Sequence, residues 1–170
     1  ASRSGRRPYV QLGTLGERTW PPPSKSGYAV ALWLRVQRTP APGTAPLYLF
    51  SLCSKTHVHR LELLLLPSGR VRIRVAPTSK RSGQLTFDGF RVDRSRWYHL
   101  CVAHGTDERG GGLCRLYVDG ILRSAGPLAY PFSRICSLSA AFGVSVAPHD
   151  DVTLRPTSSS VSSSASSASS

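Results

Sequence analysis

Enzymatic or metal chemistry needs carboxylates, imidazoles or thiols gathered at defined spacings, and this chain of 170 residues carries them singly. Cleaving a glycosidic bond takes two carboxylates about 5 to 9.5 Å apart, depending on the stereochemical outcome. Glu17, Glu62 and Glu108 are the only glutamates, and none has a second acid two residues away that would aim both into one cleft. Cys53, His57 and His59 share strand parity, and His-x-His is a zinc spacing, yet no fourth ligand accompanies them. Asp150 and Asp151 beside His149 offer oxygens, but calcium takes six or more, which cannot be assembled here. His99 and His104 fall on opposite faces of one strand, with no nucleophile and acid arranged about either. Gly110-Gly111-Gly112 lacks the following helix and the Lys-Ser/Thr pair of a phosphate loop, so it reads as a loop apex. The expectation is a chain that is not an enzyme and has neither a cofactor nor a metal site.

Arginine is the residue type that remains. The formal net charge is +13, from nineteen Arg and three Lys against nine acids. Ten of the basic residues lie between Lys55 and Arg96, opposed there only by Glu62, Asp88 and Asp93. Arg70, Arg72 and Arg74 alternate with Val71, Ile73 and Val75, and Lys80 and Arg81 follow. Side chains two apart on a strand sit about 6.5 to 7 Å apart, close to the spacing of phosphates. Guanidinium groups grip a phosphate or carboxylate through paired hydrogen bonds. Three like charges on one face cannot meet a dry core, so that face is wet or partnered. Two readings stand: a site for acidic proteins or anionic lipids, and the solvated back of a sheet. Nucleic acid is not favoured, because the interleaved aromatic platform of single-strand binders is missing.

These residues sit on a chain whose apolar pattern has the period of strands. Tyr98, Leu100 and Val102, then Cys114, Leu116 and Val118, alternate on either side of a polar loop, and Asp119-Gly120 has the composition of a tight primed turn into a third strand. Tyr28, Val30, Leu32, Leu34 and Val36 share a face, with Trp33 and Arg35 on the other. Leu47–Leu52 is apolar on both sides and suits a central strand. Leu61–Leu66 and Arg70–Val75 flank a turn at Pro67-Ser68-Gly69. Tyr9–Leu12, a strand pair or bend over Gln84–Val92 around Asp88-Gly89, and a last strand at Phe142–Val146 complete nine or ten strands. Trp20-Pro21-Pro22-Pro23 is a stiff connector, and no helical period persists beyond a turn or two. The expected architecture is an all-β antiparallel sandwich over residues 9–147, preceded by a basic disordered lead-in (1–8) and followed by a Ser-rich tail (148–170). If the Trp97 ring packs inside that sandwich, removing it costs about 3 to 5 kcal/mol.

Arg96–Arg123 also resembles the laminin G and concanavalin A-like jelly roll, whose signature is a Trp-x-His strand, here Trp97 and His99, followed by a Tyr-Val-Asn/Asp-Gly hairpin, here Tyr117 to Gly120 with Asp119. Together with Trp20–Pro23, Gly27–Val36, including Trp33, and Leu47–Leu52, the chain is similar to the concanavalin A-like domain of BEACH-domain proteins such as the neurobeachin-like and lysosomal-trafficking-regulator relatives. The resemblance implies a non-catalytic protein-interaction module in a cytoplasmic scaffold for vesicle and membrane trafficking, with peripheral membrane contact open to it. It also implies a role for Asp119 in its turn rather than as a calcium ligand. Glucanases of this fold carry Glu-x-Asp-x-x-Glu on one strand, and nothing matching it occurs here. The chain departs from the family where a closing strand is expected, since Pro148-His149-Asp150-Asp151 follows Phe142-Gly143. A truncation, an insertion, or a strand from sequence outside this chain would each account for that, and an exposed edge would result.

The alternative is a secreted or cell-surface laminin G or lectin module that binds glycan. Cys53, Cys101, Cys114 and Cys136 fit no zinc or redox motif, and reduced thiols in a cytosolic protein are the expectation. Arg3, Arg6 and Arg7 are followed by no apolar stretch of a signal peptide, and no apolar run approaches the ~20 residues of a membrane span. The start at Ala1 reads as a piece of something larger.

Overall fold

The computed structural model describes residues 10–15, 20, 22–54, 60–78, 81–131 and 138–142. It places ten strands: β1 (Val10–Leu15), β2 (Tyr28–Arg35), β3 (Leu47–Ser54), β4 (Arg60–Leu65), β5 (Val71–Thr78), β6 (Arg81–Phe87), β7 (Trp97–Thr106), β8 (Gly112–Val118), β9 (Ile121–Pro127) and β10 (Leu138–Phe142). All the ladders are antiparallel. One sheet runs β1-β10-β3-β4-β5-β6 and the other β2-β7-β8-β9. The all-β sandwich expected from the period-two pattern is the fold found.

The core lies between the sheets. From the larger sheet come Leu61, Leu63, Leu65, Val71, Ile73, Val75 and Phe87, and from the smaller one Tyr98, Leu100, Val102, Cys114, Leu116 and Val118. These are the alternate positions of β4, β5, β7 and β8, so a single period-two face from each strand meets its counterpart and leaves water. Strand β3 is covered on both sides from Leu49 to Ser54, as a two-sidedly apolar central strand should be.

Several elements differ from expectation. The last described strand is Leu138–Phe142, inserted between β1 and β3, and residues 143–146 of the anticipated Phe142–Val146 strand lie outside the described residues. Among the described residues the strand beside β1 is Leu138–Phe142, whose central Ser139, Ala140 and Ala141 give a weak apolar signal but fit close strand packing. Beyond the Asp88-Gly89 turn the chain forms no second strand; it makes only an isolated bridge between Arg94 and Val36. Strand β7 runs on to Thr106, so the loop into β8 shortens to Asp107–Gly111, where Asp107 Oδ1 accepts hydrogen bonds from the Arg109 and Gly111 N–H groups. Arg70 precedes β5 and belongs to the turn.

Candidate functional site

Strand alternation sorts the hairpin residues by face. Trp33 pairs across β2 and β7 with His99, and Arg35 with Trp97. One step along, Ala31, Cys101, Tyr117 and Leu122 form a row across all four strands. The Trp33 and His99 rings lie 5.2 Å apart. Trp33 and Trp97 are 68% and 58% exposed, so both point away from the core. Packing of Trp97 inside the sandwich is thus ruled out; its neighbour Tyr98 takes the inward position, with its hydroxyl donating to Asp93 Oδ2 at 2.9 Å.

Asp119 and Gly120 have φ of 52° and 79°, the two left-handed residues that a primed two-residue turn requires. Asp119 also ties this turn to β7: its Oδ1 accepts from the His99 N–H at 2.9 Å, and its own N–H donates to the His99 carbonyl at 2.9 Å. The acid is thereby engaged in structure.

The basic strand is partnered inside the chain. Arg70 Nη1 lies 2.8 Å from Asp88 Oδ1, Arg72 Nε donates to Thr86 Oγ1 at 2.9 Å, and Arg74 Nη1 lies 3.3 Å from Glu62 Oε2. Glu62 is 1% exposed, and Arg74 is its cross-strand neighbour on β5, so this guanidinium offsets a buried charge. Lys80 lies outside the described residues; Arg81 pairs with Thr78 through the backbone. The guanidinium groups of Arg70 and Arg72 remain on a face shared with β6, each with donors beyond the bond it makes.

A second polar cluster, not singled out from sequence, closes one end of the sandwich. His104 is buried; its Nε2–H donates to the Leu128 carbonyl at 2.9 Å and its Nδ1 accepts from the Tyr28 hydroxyl at 2.8 Å, the tautomer that a carbonyl partner requires. Tyr130 packs against both rings and donates to the Pro22 carbonyl at 3.0 Å, and Trp20 stacks on Tyr28. Burial lowers the His104 pKa, and the Leu128 bond opposes that only partly. Burial likewise pushes the Cys114 thiol up to about 12, which makes it inert. Cys53, Cys101 and Cys114 are free thiols, and Cys136 lies outside the described residues. Among the described residues no three His, Cys, Asp or Glu side chains converge on a metal position, while His57, His59 and Asp150-Asp151 lie outside them.

The profile of the concanavalin A-like lectin/glucanases superfamily matches residues 4–153. The chain belongs to this superfamily. Two proteins of Arabidopsis thaliana are similar to this concanavalin A-like domain. BEACH domain-containing protein A2 is 26% identical over 164 residues, and Protein SPIRRIG 25% identical over 153, covering 78% and 72% of the chain. The domain spans only 4% of the length of each. Domains LG4-5 of the mouse laminin alpha1 chain share its fold, with a TM-score of 0.53 at 11% identity over 83% of this chain and 36% of that one. Among the described residues no helix of this concanavalin A-like domain is long and apolar enough to cross a membrane.

Proposed function

We propose that this domain is a non-catalytic protein-interaction module of a large cytoplasmic BEACH-type scaffold that works in vesicle and membrane trafficking. The observation that carries this reading is similarity along most of the chain to BEACH domain-containing protein A2, of whose length the domain makes up about 4%. A small sandwich in which no acids converge among the described residues, set in so long a protein, suits recognition. The interaction unit is taken as residues 9–147, with 1–8 and 148–170 as flanking segments. Deleting 9–147 from the parent protein in cells should remove a defined subset of its co-purifying proteins. An unchanged set would overturn the reading.

The basic strand refines it. Arg70 and Arg72, with Lys80 and Arg81, supply guanidinium and ammonium groups for acidic partners or anionic lipids. Arg74 is unsuited to testing this, because reversing its charge beside buried Glu62 would disturb the fold. Arg70→Gln combined with Arg72→Gln should lower retention on phosphatidylserine liposomes while the domain stays folded; unchanged retention would remove lipids from the proposal.

A glycan-binding reading has one observation in its favour: the outward Trp33 and Trp97 rings could stack on sugar faces. Binding on a glycan array that is lost with Trp33→Ala would support it, and a silent array would end it.

A further inference from the structure

The two sheets differ in width, and among the described residues the difference leaves the core open along one side. They meet at β6 and β9. Counting inward from there, β3 lies opposite β2, and the remaining strands β10 and β1 have no opposing strand among the described residues. Core-side positions on this flank are correspondingly wet. Val10 and Leu15 share rows with Phe142 and Leu138, on the same face as the buried core residue Ala140, yet Val10 is 61% and Leu15 36% exposed. Tyr28, Val30, Leu32 and Leu34 face the core from β2 but are only half-buried, unlike their partners on β7. Between β2 and β3 lies an apolar cleft of about 530 Å³, lined by Leu32, Leu34 and Leu49 with Trp33 and Leu47 among its lining residues.

Strand β2 bounds this cleft and, among the described residues, is the edge of its sheet. Natural edges are protected by prolines, bulges, lysines or brevity. Strand β2 has eight residues, no proline, uninterrupted register with β7, and a single charge, Arg35, at its end. Such an edge is a template for one more strand, which would lie about 4.8 Å beyond β2. A strand there would sit over β10, and its inward side chains would fill the open side of the cleft.

We propose that the β2 edge and its cleft accept an extended acidic strand from a partner protein, with apolar residues alternating with Asp or Glu. This rests on the interaction-module reading and names its surface. Charge selects the occupant. From Arg18 to Leu61 the chain has no Asp or Glu, and Lys25 and Arg35 stand at the two ends of β2. A second copy is the wrong occupant, because its own β2 is equally free of acids and each chain carries +13.

The test selects peptides from a randomised display library on the intact chain and maps the synthesised binders by amide hydrogen exchange. Enriched sequences should alternate apolar and acidic residues and should protect Tyr28–Arg35. Leu47→Glu, which places a carboxylate at the cleft rim, should weaken them by about tenfold or more. Arg35→Glu, on an exposed side chain, should weaken them in the same direction if Leu47→Glu perturbs folding, and Arg72→Glu should leave them unchanged. Enrichment of neutral or basic sequences, or none at all, would overturn the proposal. Protection of β2 by phosphatidylserine vesicles rather than by peptide would assign the edge to a membrane and overturn it as well. A footprint on β5 would reject the edge site and leave the interaction-module reading intact, since that reading fails only in the deletion experiment.

Discussion

A buried imidazole with both nitrogens occupied is a group that acid can attack. His104 has its pKa lowered below the usual 6.5 by burial, so in the range beneath 6.5 the unfolded chain binds the proton first. Its contribution to stability is complete above that value and declines as pH falls through 6.5 toward the lowered folded value. Tyr28, Tyr130 and Cys114 beside it stay neutral throughout, because burial raises all three. Melting temperature should therefore drop between pH 7 and pH 5.5, and His104→Gln should flatten that slope; equal slopes would show that other groups set the acid response. Exposure decides a second case. Trp97→Ala should change stability by less than about 0.5 kcal/mol. Leu100→Ala, which empties a fully buried position, should cost about 2 to 5 kcal/mol, both read by denaturant unfolding. Removing Arg74 strips a partner from the buried Glu62 carboxylate, and Arg74→Ala should cost about 1 to 3 kcal/mol on the same measurement.

At the scale of elements, turns and close approaches hold the register. Gly27 has φ +66°, and a Cβ there would come within 2.7 Å of the His104 carbonyl oxygen, so β2 enters the sheet against β7 only with glycine at that point. Gly27→Ala should destabilise the domain more than any exposed substitution on β2, measured by thermal melting. Asp119→Ala puts alanine, which tolerates positive φ less well than Asp, at a φ of 52° and removes the bond to the His99 N–H, and should cost about 1 to 2 kcal/mol. Much of this was legible in the sequence. Asp-Gly between alternating runs marked the β8–β9 turn, and the parity of Val71, Ile73 and Val75 against Arg70, Arg72 and Arg74 marked the two faces of that segment. The partners of those arginines were less legible, because Glu62 meets Arg74 only once β4 and β5 fix their register. Cross-strand register is a tertiary fact, and isolated glutamates give no sign of it. Strand β10 was missed for a related reason: Ser139, Ala140 and Ala141 are small residues whose strand state comes from pairing with β1 and β3. The strand that carries His104 is legible from its alternation, but the neighbours of this ring, Tyr28, Leu128 and Tyr130, come from distant segments.

For the whole molecule, the inequality of the two sheets matters more than any one residue. Among the described residues a six-stranded layer against a four-stranded layer leaves apolar surface uncovered on β1, β2 and the cleft between β2 and β3, apart from Ile121 and Leu122 on β9. The outward Trp33 ring also lies on β2, so apolar exposure adjoins a strand that pairs on one side only among the described residues. Patches of this kind on a folded domain mark contact surfaces. The claim that this domain recognises other proteins is tested most directly by amide hydrogen exchange. The isolated chain would be compared with the same residues in the parent protein purified with its associates. If the domain recognises other proteins, Tyr28–Arg35 exchanges readily in isolation and becomes protected in the assembly, while β4, β7 and β8 are protected in both. Identical exchange along the whole chain in the two states would contradict it.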